Sequence, residues 1–148
     1  MKIKLQNKFL PTLIPLLQGM KLKGEQSRAR SKFLALAMNA YYSLHDSEIE
    51  LLKEYAILDK LGEPLSDKEG GFTIKEDCLQ EYFTERGKLF SEVAELQGAT
   101  YTKHIELMRR ILLDYDEELC SDNAALYDAL LDAIENEMEV CENGKSCD

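Results

Sequence analysis

The 148-residue chain has no tryptophan, only three prolines and only two histidines. It also lacks any apolar run of fifteen residues. A membrane-spanning helix needs about 20 such residues, so none is expected. With no charged, apolar, small-residue leader either, the chain reads as a soluble intracellular protein. Walker-type phosphate loops, dinucleotide glycine fingerprints, serine-hydrolase elbows and His-Glu-x-x-His are all missing, which removes the common nucleotide-dependent and hydrolytic chemistries. His45 and His104 are the two histidines. His45 lies beside an apolar helix face and suits packing or surface better than base catalysis. The even count of cysteines, Cys78, Cys120, Cys141 and Cys147, includes no Cys-x-x-Cys pair. In an intracellular setting a disulfide framework is not the first reading.

Charge is what the chain has in excess, and it is unevenly placed. The net value of −10 divides into +7 over Met1–Phe33, with eight basic residues against Glu25, and −17 over the remainder, with ten basic against twenty-seven acidic. A surface that repels phosphate over most of its area does not suit nonspecific nucleic-acid binding. Its natural complement is a protein with a basic surface, unless the acidity serves only solubility.

Apolar residues recur at three and four positions from Phe33 through Leu36, Ala37, Ala40, Tyr41, Leu44, Leu51, Leu52, Tyr55 and Leu58. This spacing predicts one long amphipathic helix over about 25–60, ended by Gly62 and Pro64. Pro11 suits a first helical turn, and Pro15 is expected to bend or restart that earlier helix. Further helices are expected from Lys75 to about Leu96, from a cap at Thr100 or Thr102 to near Asp114, and from Ser121 or Asp122 onward with Leu126, Leu130, Ile134 and Met138 inward. The alternation Lys2-Ile3-Lys4-Leu5 suits a short strand, with Phe72–Lys75 as its expected partner in a two-stranded ribbon. Gly62–Gly71 reads as a loop, and no internal repeat of 20 to 50 residues is present. The expected architecture is an all-α or α-dominated single domain over 1–140, a helical bundle around the long helix. A cysteine-bearing tail follows over 141–148.

Three constellations are candidates for function. Arg28 and Arg30 stand in the first turn of the long helix, where cations oppose the macrodipole at about 0.3–1 kcal/mol each. They serve either as a bidentate dock for a phosphate or partner carboxylate, or as internal partners of the chain's own acids. Asp128, Asp132 and Glu135 follow i, i+4, i+7 and share a helix face, with Glu139 close by. Such a row either imitates a phosphate backbone toward a basic channel or is simply a solvated face. Cys141, Cys147 and His104 are brought near one another if the last two helices run antiparallel. They could hold zinc with one further ligand, or remain ordinary side chains.

The run Leu22–Phe33, with Leu52-Lys53-Glu54-Tyr55-Ala56, Leu61-Gly62-Glu63-Pro64, Ile111-Leu112-Leu113 and Ala125-Leu126-Tyr127-Asp128, resembles a family of small uncharacterised proteins encoded in phages and prophages of Gram-positive bacteria. The resemblance covers nearly the whole chain to Met138 and carries no catalytic residue. It implies a setting, the cytoplasm of an infected bacterial host. By analogy with small acidic phage proteins that inhibit host nucleases, anti-CRISPR proteins among them, the expected function is non-catalytic inhibition of a nucleic-acid-handling effector such as an RNA-guided nuclease. The alternative is a virion-assembly or structural accessory protein that self-associates through the long helix.

Overall fold

A computed structural model describes residues 1–98 and 103–144. The fold is α-dominated, 66% helical, with five α-helices and one two-stranded antiparallel sheet among the described residues. In chain order these are β1 (Ile3–Gln6), α1 (Leu10–Gly19), α2 (Gly24–Tyr55), α3 (Leu79–Ser91), β2 (Val93–Leu96), α4 (His104–Leu113) and α5 (Ser121–Glu142). The chain divides into two compact units, the first made of residues 1–41 and 93–148 and the second of residues 42–92. Cys141 lies in the last turn of α5 rather than in a tail.

In the first unit α5 contacts β1, α1 and α4. The core is built from helix-spaced side chains. Leu10, Leu13 and Leu17 come from α1, Ala29, Phe33 and Ala37 from the first half of α2, Ile105, Met108 and Leu112 from α4, and Leu126, Leu130 and Ile134 from α5. Each set recurs at three or four positions and so buries one stripe of its helix. The strand β1 alternates as expected, with Ile3 and Leu5 buried and Lys4 exposed.

Its partner differs from the expectation. β1 pairs with Val93–Leu96, in the register Ile3–Leu96 to Gln6–Val93, and not with Phe72–Lys75. Val93–Leu96 is therefore strand and not the end of a helix. The chain leaves α3 through Glu92, whose backbone is extended at φ −62°, ψ 151°. The pairing places Ile3 (0% exposed) against Leu96 (1%), so both complete the core where β1 meets α5. Pro15 does not restart α1, which runs unbroken through it. Pro15 is exposed, so water can reach the carbonyl deprived of its helical donor. The expected cap at Thr100 or Thr102 lies outside the described residues.

In the second unit α2 stops at Tyr55, five residues before the predicted end, because residues 56–75 form a three-way β junction. Three bridges define it: Ala56–Ile74, Leu58–Pro64 and Ser66–Phe72. At its centre the Ile57 N–H donates to the Thr73 carbonyl and the Leu65 N–H to the Ile57 carbonyl, each at 2.8 Å. Residues 57, 65 and 73 thus meet at intervals of eight.

Two arms of the junction end in the same turn, Asp59-Lys60-Leu61-Gly62-Glu63 and Asp67-Lys68-Glu69-Gly70-Gly71. Asp59 Oδ1 accepts from the N–H groups of Leu61 and Glu63, and Asp67 Oδ1 from those of Glu69 and Gly71, at 2.8–3.1 Å. Gly62 and Gly70 take φ of 81° and 80°, a left-handed conformation that side chains with a Cβ disfavour. The turn chemistry, an aspartate capping its own loop with glycine three residues on, outcompetes continued helix.

Core membership of β2 is testable by truncation. Leu96→Ala removes a side chain from the sealed face and is expected to cost about 2–5 kcal/mol. Val93→Ala, on the exposed face of the same strand, should stay within about 0.5 kcal/mol. Urea unfolding of both variants measures the difference.

Candidate functional site

Arg30 is occupied within the first unit. Its guanidinium Nη1 donates to the carbonyls of Leu17 at 2.8 Å and Met20 at 3.0 Å, the C-terminal carbonyls of α1 and its cap. Those groups carry the negative end of the α1 dipole, which suits a cation. Because α2 begins at Gly24, Arg30 stands in its second turn and not in the expected first, where the α2 dipole would oppose it most. The partners are backbone oxygens rather than the acids expected for an internal pair. Arg28 is exposed. The two arginines are therefore not equivalent, and only Arg28 is presented at the surface.

On α5 the acids also separate. Asp128, Asp132 and Glu139 are exposed, opposite the buried Leu126, Leu130 and Ile134. Glu135 is half-buried and accepts from Arg109 Nε and Nη2 at 3.2 and 3.0 Å. It ties α5 to α4 and is drawn off the surface row. Glu137 accepts from the Lys2 backbone N–H at 2.6 Å.

His104 is buried at the start of α4, and Cys141 is half-buried at the end of α5. The two helices run antiparallel, since Arg109 meets Glu135 and the Tyr127 hydroxyl donates to the Leu112 carbonyl. Cys147 lies outside the described residues, and no group of three or more potential metal ligands occurs among those that are described.

The second unit contains a surface that the pattern of the chain did not single out. Its α2 and α3 segments run antiparallel, joined by Tyr55 Oη to Glu81 at 3.2 Å and by Arg86 to Glu48 at 3.6 Å. Between them lies a groove of about 500 Å³. Asp46, Glu50 and Glu54 line it from α2, Glu85 from α3 and Glu92 from just beyond α3, above a floor of Leu51 and Leu89. One lysine lines it, Lys88, and its Nζ lies 2.7 Å from Glu85 Oε1. The same unit carries eight of the twelve exposed large apolar residues found among the described residues, Leu61 at 88% and Phe83 at 59% included. Its buried apolar residues are Leu44, Leu52 and Ala56.

Tyr55, Cys78, Lys88 and Tyr127 are pushed upward from their ordinary values. Burial first and Glu81 second raise Tyr55; burial and Asp77 raise the Cys78 thiol; Glu85 raises Lys88; burial and Asp128 raise Tyr127.

No family model matches the chain, and no curated protein or solved structure matches it.

Two consequences can be measured. Arg30→Met keeps the aliphatic stem but strips two carbonyls of a charged donor, and should cost about 1–3 kcal/mol in urea unfolding. Arg28→Glu should change stability by less than about 0.5 kcal/mol. Tyr127→Phe should cost about 0.5–1.5 kcal/mol at neutral pH by losing the bond to Leu112. Because the Tyr127 phenol is raised in the folded state, that stabilisation is intact below its unfolded value, about pH 10, and is lost as pH rises through the folded one. The gap between wild type and Tyr127→Phe in melting temperature should therefore narrow in strongly alkaline solution.

Proposed function

We propose that this chain is a non-catalytic binding protein that uses an acidic surface to occupy a basic surface of a nucleic-acid-handling protein. In its finer form the proposal is that a phage encodes it, that it acts in the cytoplasm of the infected bacterial host, and that its target is an effector such as an RNA-guided nuclease. The observation that carries the reading is the placement of charge. The second unit holds thirteen acidic against six basic residues, a net of −7 within 51 residues. On the first unit, Asp128, Asp132 and Glu139 add a solvent-facing row along α5. Carboxylates displayed this way complement a channel that ordinarily holds phosphates, and they speed encounter with it.

One observation favours a second reading, an assembly or structural accessory role through apolar association: Ile57, Leu61, Leu65, Phe72 and Phe83 are all exposed in the second unit. Salt separates the two, because blocking by charge weakens steeply as ionic strength rises and apolar association does not.

The deciding experiment is affinity capture from infected host lysate at low and high salt, read by mass spectrometry. The expected result is a nucleic-acid-handling protein that is released by salt and displaced by its own nucleic acid. Recovery of capsid or tail proteins alone, held through high salt, would overturn the proposal.

A further inference from the structure

We infer that the groove between α2 and α3 in the second unit is the seat for a basic amphipathic helix of the partner protein. This rests on the binding reading above and assigns it to one place. Asp46, Glu50 and Glu54 stand four residues apart and form one row about 12 Å long on α2. Like charges at this spacing cost the helix a few tenths of a kcal/mol per pair. Lys53 approaches Glu50 at 3.6 Å from outside the groove lining, so one of the three is partly compensated within the chain. Facing this row, Glu85 is engaged by Lys88, and Glu92 adds a further carboxylate. The walls therefore present more negative charge than the chain neutralises.

The floor is of the opposite kind. Leu51 and Leu89 are half-buried, with apolar surface at the bottom of the groove. Carboxylate walls over an apolar floor match a helix that sets one apolar side chain downward and arginines or lysines at four-residue spacing along its flanks. Pairing of the groove with the same unit of a second copy would set −7 against −7. Docking of a second copy through its basic Met1–Phe33 segment would show as dimerisation of the protein alone and would overturn the proposal. Free polyanions are repelled by the same walls.

The test uses the full-length protein and a fluorescein-labelled synthetic helix of about 18 residues, with arginine at every fourth position beside a leucine stripe. Fluorescence anisotropy is compared with a scrambled peptide of the same composition. Wild type should bind the patterned peptide at least about tenfold more tightly than the scrambled one, with affinity falling as salt rises. Asp46→Lys/Glu54→Lys should weaken binding by about tenfold or more, whereas Asp128→Lys/Asp132→Lys on α5 should leave it unchanged. All four positions are exposed, so near-wild-type melting temperatures are expected, and these confirm that each variant is folded. Leu89→Ala should weaken binding without changing its salt slope, which separates the floor from the walls.

Equal binding of the two peptides, or equal loss from the α2 and α5 variants, would overturn the groove while leaving acidic-surface binding intact. Failure of wild type to bind either peptide overturns the groove as a seat for basic helices. The wider reading then stands or falls on the salt-dependent capture.

Discussion

The first unit depends on four ladder positions that join β1 to β2. They bring Ile3 to Leu96 across more than ninety residues of chain. Closing a loop of that length costs roughly 4 kcal/mol in chain entropy, and the cost grows only logarithmically with length. Burying Ile3, Leu5 and Leu96 contributes about 1.5–3 kcal/mol for each side chain, enough to offset it. The second unit, residues 42–92, has only Leu44, Leu52 and Ala56 as buried apolar side chains. An element that buries so little can carry charge that a core element could not.

The charge follows that division. Of the net −10, the second unit contributes −7 and the first −3. In the first unit the Arg30 guanidinium is held by the carbonyls ending α1, while Arg109 pairs with Glu135 at the surface. In the second, Arg86–Glu48, Lys53–Glu50, Lys53–Glu63 and Lys88–Glu85 are likewise surface pairs, and such pairs stabilise little. Their acids outnumber them. A surface of this composition is better explained by what it meets than by what it holds together.

The helices and the α-dominated class were legible because buried residues at three- and four-residue spacing are a local signal, as in Leu126, Leu130 and Ile134. What failed was governed by distant partners. Leu89, Val93 and Leu96 continue helical spacing, and only pairing with Ile3 turns the last four residues into a strand. Leu58 likewise continues the stripe of α2, but the turn closed by Asp59 ends the helix first. The eight-residue recurrence of Asp-Lys-x-Gly at 59–62 and 67–70 was readable, although it lies below the periods that mark solenoid repeats. The partners of Arg30 were not readable, since a backbone carbonyl has no residue signature. Asp128 and Asp132 could be placed on one helix face from spacing alone. The α2–α3 groove could not, because its second wall is set by tertiary structure.

The junction at residues 56–75 explains how two acidic walls can face each other at all. Carboxylates on neighbouring helices repel, and if the helices were held by ionic side chains the walls would have to be neutralised. Here the end of α2 and the approach to α3 are tied by neutral backbone bonds, Lys75 N–H to Tyr55 carbonyl at 2.9 Å and Ile57 N–H to Thr73 carbonyl at 2.8 Å. Each arm of the junction is closed by its own aspartate rather than by a partner across the groove. The Glu48–Arg86 pair and the Tyr55–Glu81 bond then fix the helix faces while leaving Asp46 and Glu54 in the groove lining. Neutral backbone bonds shape the junction, and of the carboxylates only Glu48 and Glu81 are used to join the helix faces, so Asp46 and Glu54 stay in the groove lining.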